Sequence, residues 1–181
     1  LAITTTSPNL PVSPNAFQAK LHGTPSPLTD PTDVYVVKFD PTVTTVLAAT
    51  YLGGAQNDDV SAMALDSAGL VYLAGVTDSQ DFPTTKDALG AKLTVSRNIA
   101  CAICAPLRLA PQDGFVSVLD LSSLESSKQL VQSTYLGGDG RDVLTDLAVD
   151  YSGAVYVVGV SNSLNFPMVS PILATFDDPL P

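Results

Sequence analysis

A chain of 181 residues is about one domain's length, and with 45% hydrophobic residues it can bury a core, which argues against wholesale disorder. Eighteen acidic residues against eight basic ones leave a net charge of −10. Without a Lys/Arg cluster, such a chain repels phosphate backbones and anionic lipid surfaces, so nucleic-acid binding is not expected, and no apolar run approaches the roughly 20 residues that span a bilayer as a helix.

In chain order, the pattern predicts many short strands separated by Gly, Pro and Asp punctuation. A partial strand opens the chain, which begins at Leu1 as a processed or trimmed product would. Val34–Phe39 is the next strand, and another runs into Tyr51-Leu52 and stops at Gly53-Gly54. Ala62–Leu65 and Leu70–Val76 follow, joined by Asp66-Ser-Ala-Gly69, a hairpin turn in which Asp bonds the downstream backbone and Gly takes positive φ cheaply. Phe82-Pro83 marks the turn after them, and a longer connection at about 90–112 holds both cysteines. Phe115–Leu119 and a strand into Tyr135-Leu136 come next, with Leu124–Gln132 between them able to form a helical turn. Asp146–Val149, the turn Asp150-Tyr-Ser-Gly153, Ala154–Val160 and Phe166-Pro167 complete the pattern before a tail at 171–181. Val71-Tyr-Leu-Ala74 is apolar on both faces, as a strand covered on both sides would be, whereas Lys38, Ser117 and Gln132 give the later strands a more polar reading.

Much of this is one unit repeated. Thr50-Tyr-Leu-Gly-Gly54 recurs as residues 134–138, 84 positions later, and the same register pairs Asp58 with Asp142, Asp66 with Asp150, Gly69 with Gly153, Gly75 with Gly159 and Phe82-Pro83 with Phe166-Pro167. A partial third copy opens the chain, with Thr5, Ser7, Leu10 and Pro11 lying 72 positions before Thr77, Ser79, Phe82 and Pro83. Asp33–Asp40 matches Asp113–Asp120. The offset grows because the second unit is longer in two connections: Phe82 to Asp113 against Leu10 to Asp33, and Asp120 to Thr134 against Asp40 to Thr50. The division is a partial repeat at 1–32, a repeat at 33–112 carrying the Cys-containing insertion, a repeat at 113–170, and the tail. Thr-Tyr-Leu-Gly-Gly, an acidic loop, then Ala-x-Ala-Leu-Asp-Ser-x-Gly-x-Val-Tyr-x-x-Gly-x-Thr-x-Ser-x-Asp-Phe-Pro, with Pro14-Asn-Ala-Phe-Gln18 placed as the segment after Phe-Pro, resembles the bacterial seven-bladed β-propeller repeat. The resemblance implies an all-β fold of propeller blades, each an antiparallel four-stranded sheet, with about two blades and part of another here. A β-sandwich of the same strands is the alternative. It also implies an extracytoplasmic setting (secreted, periplasmic or surface) and brings no catalytic residues.

Asp58, Asp59 and Asp142 stand in oxygen-rich loops after the glycine pairs, the donor type that Ca²⁺ takes, although neither loop has a known calcium-loop spacing. Turn formation by Asp and Gly is the competing reading, and no other cofactor is expected. Cys101 and Cys104 lack the following His of a haem attachment, since residue 105 is Ala, and two thiolates fall short of a zinc site's four ligands. In an exported protein a local disulfide bracing the insertion is favoured over two free thiols packed as small apolar groups. A Ser–His–Asp site could use only His22, which lies in a loop-like stretch without a nucleophile elbow. These readings favour a non-enzymatic scaffold, binding or assembly-subunit protein whose open blade faces receive further repeats or protein partners. A carbohydrate-binding or carbohydrate-active propeller and an accessory subunit of a membrane-associated complex are the alternatives.

Overall fold

The computed structural model describes residues 1–24, 30–94 and 112–172. Nine strands among them form three antiparallel sheets, filled in chain order. The first holds β1 (Ala2–Thr5), β2 (Asp33–Phe39) and β3 (Val46–Leu52). The second holds β4 (Asp58–Leu65), β5 (Val71–Thr77), β6 (Asp113–Leu119) and β7 (Leu130–Leu136). The third holds β8 (Asp142–Val149) and β9 (Val155–Ser161). The chain changes sheet at Gly53-Gly54 and again at Gly137-Gly138. One complete four-stranded blade is thus flanked by a three-stranded and a two-stranded one, stacked in succession rather than sorted into the two facing sheets of a sandwich.

Local chemistry sets the hairpins. Gly69 and Gly153 have φ near +84° and +83°, where any other residue would be strained. Oδ1 of Asp66 accepts the N–H groups of Ala68 and Leu70 at 2.9 Å, and Oδ1 of Asp150 those of Ser152 (2.8 Å) and Ala154 (3.1 Å). The register of β4 on β5 shifts between Val60 and Ala62, and that of β8 on β9 at the equivalent place, between Leu144 and Asp146. β2–β3 and β6–β7 share another such irregularity, at Lys38/Phe39 and Val118/Leu119. Bulges as well as turns therefore recur at equivalent places of the repeat.

The core lies between the sheets. Val34, Val36, Ala48 and Leu52 of the first sheet meet Val71, Leu73, Phe115, Leu119 and Tyr135 of the second. The alternate residues of β5, Tyr72 and Ala74, face the third sheet with Val118, Leu144 and Leu147. Strand periodicity therefore gives β5 two dry faces, one per neighbouring blade. β9 (VYVVGVS) is as apolar as β5 (VYLAGVT) but stays exposed from Val155 to Val160. Among the described residues no sheet packs on the β9 face that corresponds to the covered face of β5. In the four-residue expansion between β6 and β7, a 3₁₀ helix forms at Ser126–Lys128. Behind it the buried Gln129 ties the first and second sheets, its Oε1 accepting the N–H of Phe17 (2.9 Å) and its Nε2 donating to the carbonyl of Ser123 (3.1 Å).

Candidate functional site

The polar residues with structural consequence gather at the two places where the chain passes from one sheet to the next. At the first junction Asp33 opens β2 and Asp58 opens β4, and both carboxylates close on Gly53. A Cβ there would overlap Oδ1 of Asp33 and lie 2.8 Å from Oδ2 of Asp58, which is why position 53 must lack a side chain. Oδ2 of Asp58 accepts the N–H of Gly54 (2.6 Å) and the hydroxyl of Ser79 (2.9 Å), while Oδ1 takes the hydroxyl of Thr77. Ser79 and Asp81 also receive the N–H groups of Gln56 and Ala55, both at 2.8 Å. Thr77-x-Ser79-x-Asp81 is thus a cage for the loop after the glycines.

The second junction repeats this. A Cβ on Gly137 would meet Oδ1 of Asp113 and Oδ2 of Asp142. Oδ2 of Asp142 accepts from Gly138 N–H (2.8 Å) and the Ser163 hydroxyl (2.6 Å), and Asn165 Oδ1 takes the Asp139 N–H (2.7 Å). Behind each junction a tyrosine hydroxyl braces the exit from an earlier strand of its sheet, β1 in the first and β5 in the second. Tyr51 donates to the carbonyl of Ser7 (2.7 Å) and accepts Leu10 N–H (2.8 Å), and Tyr135 does the same with Ser79 (2.7 Å) and Phe82 (3.0 Å).

Burial controls the electrostatics. Removal from water pushes the Asp58 carboxyl up to about 7, against the opposing effect of its three donors, and raises Asp33 and Asp113 to about 6 each. Oδ1 of Asp33, Asp113 and Asp142 are buried without a hydrogen-bond partner. The solvent-side turn carboxylates go the other way: Asp40 is lowered to about 2, first by the hydroxyl of Thr42 and then by the Thr45 N–H.

Asp58 and Asp142 therefore sit at equivalent points of different junctions. Asp59 turns away from Asp58 and accepts the Thr32 hydroxyl at 2.9 Å. Among the described residues no three His, Cys, Asp or Glu side chains group as a metal site would require. Cys101 and Cys104 lie outside the described residues. His22 stands 3.9 Å from Asp81, with both side chains about half exposed. Sequence reasoning does not single out Gln18, Asp33, Asp113, Ser79 and Ser163 as junction residues. The repeated Thr-x-Ser step and the matched Asp33 and Asp113 are the available signals, and in the sequence they mark only register. At the second junction an additional feature appears, a cavity of about 210 Å³ lined in part by Gly90, Asp113 and Gly137.

A model of the beta-propeller repeat family matches residues 49–83 and 133–167. No curated protein matches the chain. Each matched stretch begins in the last strand of one sheet, crosses the glycine pair, runs through the first hairpin of the next, and ends at its Phe-Pro step. Identical between the two matched stretches are residues of the cage: the tyrosine, both glycines, the first-strand aspartate and the serine after the second strand. The chain thus carries two matches to the beta-propeller repeat, one spanning each junction.

Proposed function

We propose that this chain belongs to a non-catalytic, extracytoplasmic binding or assembly scaffold, in which further blades or partner proteins cover its open sheet faces. The observation that carries this reading is the fate of equivalent residues on β5 and β9. Tyr72 is 7% exposed and Ala74 fully buried, yet Tyr156 and Val158 are 60% and 59% exposed. With Val160 they form one alternating face, the one that on β5 receives the next sheet. An apolar strand face of this kind, at a sheet edge, favours association. The junction carboxylates support a structural role, because Asp58 and Asp142 take their donors from their own repeat and Asp33 and Asp113 take theirs from the preceding one, so that they brace the joint. The repeat tyrosines Tyr51 and Tyr135 are in the core rather than on a sugar-binding cleft. Light scattering on the intact chain is expected to show association, and Val158→Lys is expected to lower the mean mass while leaving the melt unchanged within about 0.5 kcal/mol. A wild-type chain that stays monomeric at all concentrations would refute the open-face reading. Recovery of the native protein from the cytoplasmic fraction would refute the extracytoplasmic one.

A further inference from the structure

The two junctions share a backbone and differ in one side chain. Gln18 and Gly90 hold the same place: each bridges to its sheet's tyrosine, Tyr51 or Tyr135. Each N–H donates to the neighbouring threonine hydroxyl, Thr50 at 3.0 Å and Thr134 at 2.8 Å. Four residues on, the N–H groups of His22 and Thr94 donate to Oδ2 of Asp33 (2.9 Å) and of Asp113 (2.8 Å). At the first junction the Gln18 carboxamide completes this frame. Its Oε1 accepts the Gly53 N–H at 3.1 Å, and its Nε2 donates to Oδ2 of Asp33 at 2.6 Å and to the carbonyl of Lys20 at 3.0 Å. Both of its N–H bonds are used, and its oxygen is engaged.

At the second junction position 90 has no side chain, and the cavity of about 210 Å³ stands where the carboxamide would be, lined by Gly90, Lys92, Thr94, Asp113, Gly137 and Asn165 among others. A water molecule needs about 30 Å³, so the space takes a small polar group with solvent to spare. The groups that hold Gln18 all have counterparts here. Gly137 corresponds to Gly53, and its N–H makes no hydrogen bond among the described residues. Asp113 is 1% exposed and keeps its Thr94 bond on Oδ2, which lacks the second donor that Gln18 gives Asp33; its Oδ1 is unpartnered, as that of Asp33 is with Gln18 in place. Lys92 corresponds to Lys20 and supplies the second carbonyl. A cation would find no use for the Gly137 N–H, and a carboxylate would bring no donors to Asp113. A group with one acceptor and two donors satisfies all three positions.

We propose that the cavity is a binding site for a primary carboxamide, its oxygen on the Gly137 N–H and its NH₂ on Asp113 Oδ2 and the Lys92 carbonyl. The ligand is a small amide or the side chain of an asparagine or glutamine, bound as Gln18 is bound at the first junction. The test is a titration of the ¹⁵N-labelled intact chain with acetamide, following the backbone amides of Gly137 and Thr94. A saturable shift is expected with acetamide and its loss with N,N-dimethylacetamide, which keeps the acceptor but has no N–H donors. Acetyl-glutamine N-methylamide separates the two sources: tighter binding than acetamide assigns the site to a polypeptide side chain, and exclusion assigns it to a free amide. Gly90→Gln should fill the cavity and abolish the response, although its Cβ starts 2.8 Å from the carbonyl oxygen of Tyr135 and the backbone must give slightly. Gln18→Ala guards against a folding failure of that variant, since it opens the first frame and Gly53 should then respond beside Gly137. No saturable shift at Gly137, an equal response to the dimethyl amide, or a folded Gln18→Ala protein whose Gly53 stays silent would overturn the proposal.

Discussion

The Tyr135 hydroxyl carries two bonds that nothing else can replace, donating to the Ser79 carbonyl and accepting the Phe82 N–H in a site that is 2% exposed. Tyr135→Phe keeps the ring against Phe82, 6.0 Å between centroids, and strands both backbone groups. The expected loss is about 1–3 kcal/mol in denaturant unfolding, and a neutral result would show that the brace is redundant. The buried carboxyls make a second residue-level prediction. Burial raises Asp58 from 3.8 to about 7 in the folded chain. Between those values the folded state holds a proton that the unfolded state has released, so stability is full below about pH 4 and declines as pH rises toward 7. Asp33 and Asp113, raised to about 6, add to the same slope. Asp40, lowered to about 2, acts oppositely, and its contribution disappears only as pH falls below about 4. The melting temperature should therefore be highest near pH 4 to 5 and fall toward pH 8, and Asp58→Asn should flatten part of that fall. A melting temperature that climbs from pH 5 to 8 would contradict the assignment.

At the scale of the element, Gln129 does for neighbouring sheets what Tyr135 does within one. It is 1% exposed and joins the segment after β1 to the connection between β6 and β7. Gln129→Ala should cost about 1–3 kcal/mol, because the Phe17 N–H is left without an acceptor, and hydrogen exchange at Phe17 should accelerate. Such ties also explain where the sequence could be read and where it could not. Alternating apolar residues and Asp-x-x-Gly turns reveal the strand cores, and the expected helical turn within Leu124–Gln132 is the 3₁₀ helix at Ser126–Lys128. The sequence pattern starts this strand at Ala62, whereas β4 begins at Asp58. The bulge at Ser61 breaks the period of two, so the residues before it look like loop although they pair with Gly75, Val76 and Thr77. The partnership of Asp33 with Asp58 was hidden for a different reason. It joins the ends of two sheets, and no local pattern encodes which strand ends meet.

Over the whole molecule, the sheets hold the second to fourth, the first to fourth, and the first and second strand types of one blade plan. β9 has the apolar composition of a covered strand but is exposed from Val155 to Val160 among the described residues, and which neighbour would cover it is the part that a periodic pattern cannot supply. Association of the intact chain, weakened by Val158→Lys, is the expectation at this scale. The unmet faces matter more than any one residue, because nearly the same strand face, Tyr72 and Ala74 against Tyr156 and Val158, is dry in one copy and wet in the next.

The identity of Thr50–Gly54 with Thr134–Gly138 has a consequence for how such molecules change over generations. Removing the 84 residues from Gly53 to Leu136 deletes one entire sheet, β4 to β7, and joins Leu52 directly to Gly137. Asp33 would then meet the glycine and aspartate that Asp113 meets now, and the Thr32 carbonyl would inherit the Asp142 N–H from Gln112. Unequal crossover between copies of the gene can therefore add or subtract a blade in a single event, with the seam falling on chemistry that is the same on either side. A lineage built this way can vary its blade number without ever passing through a form whose joints do not fit.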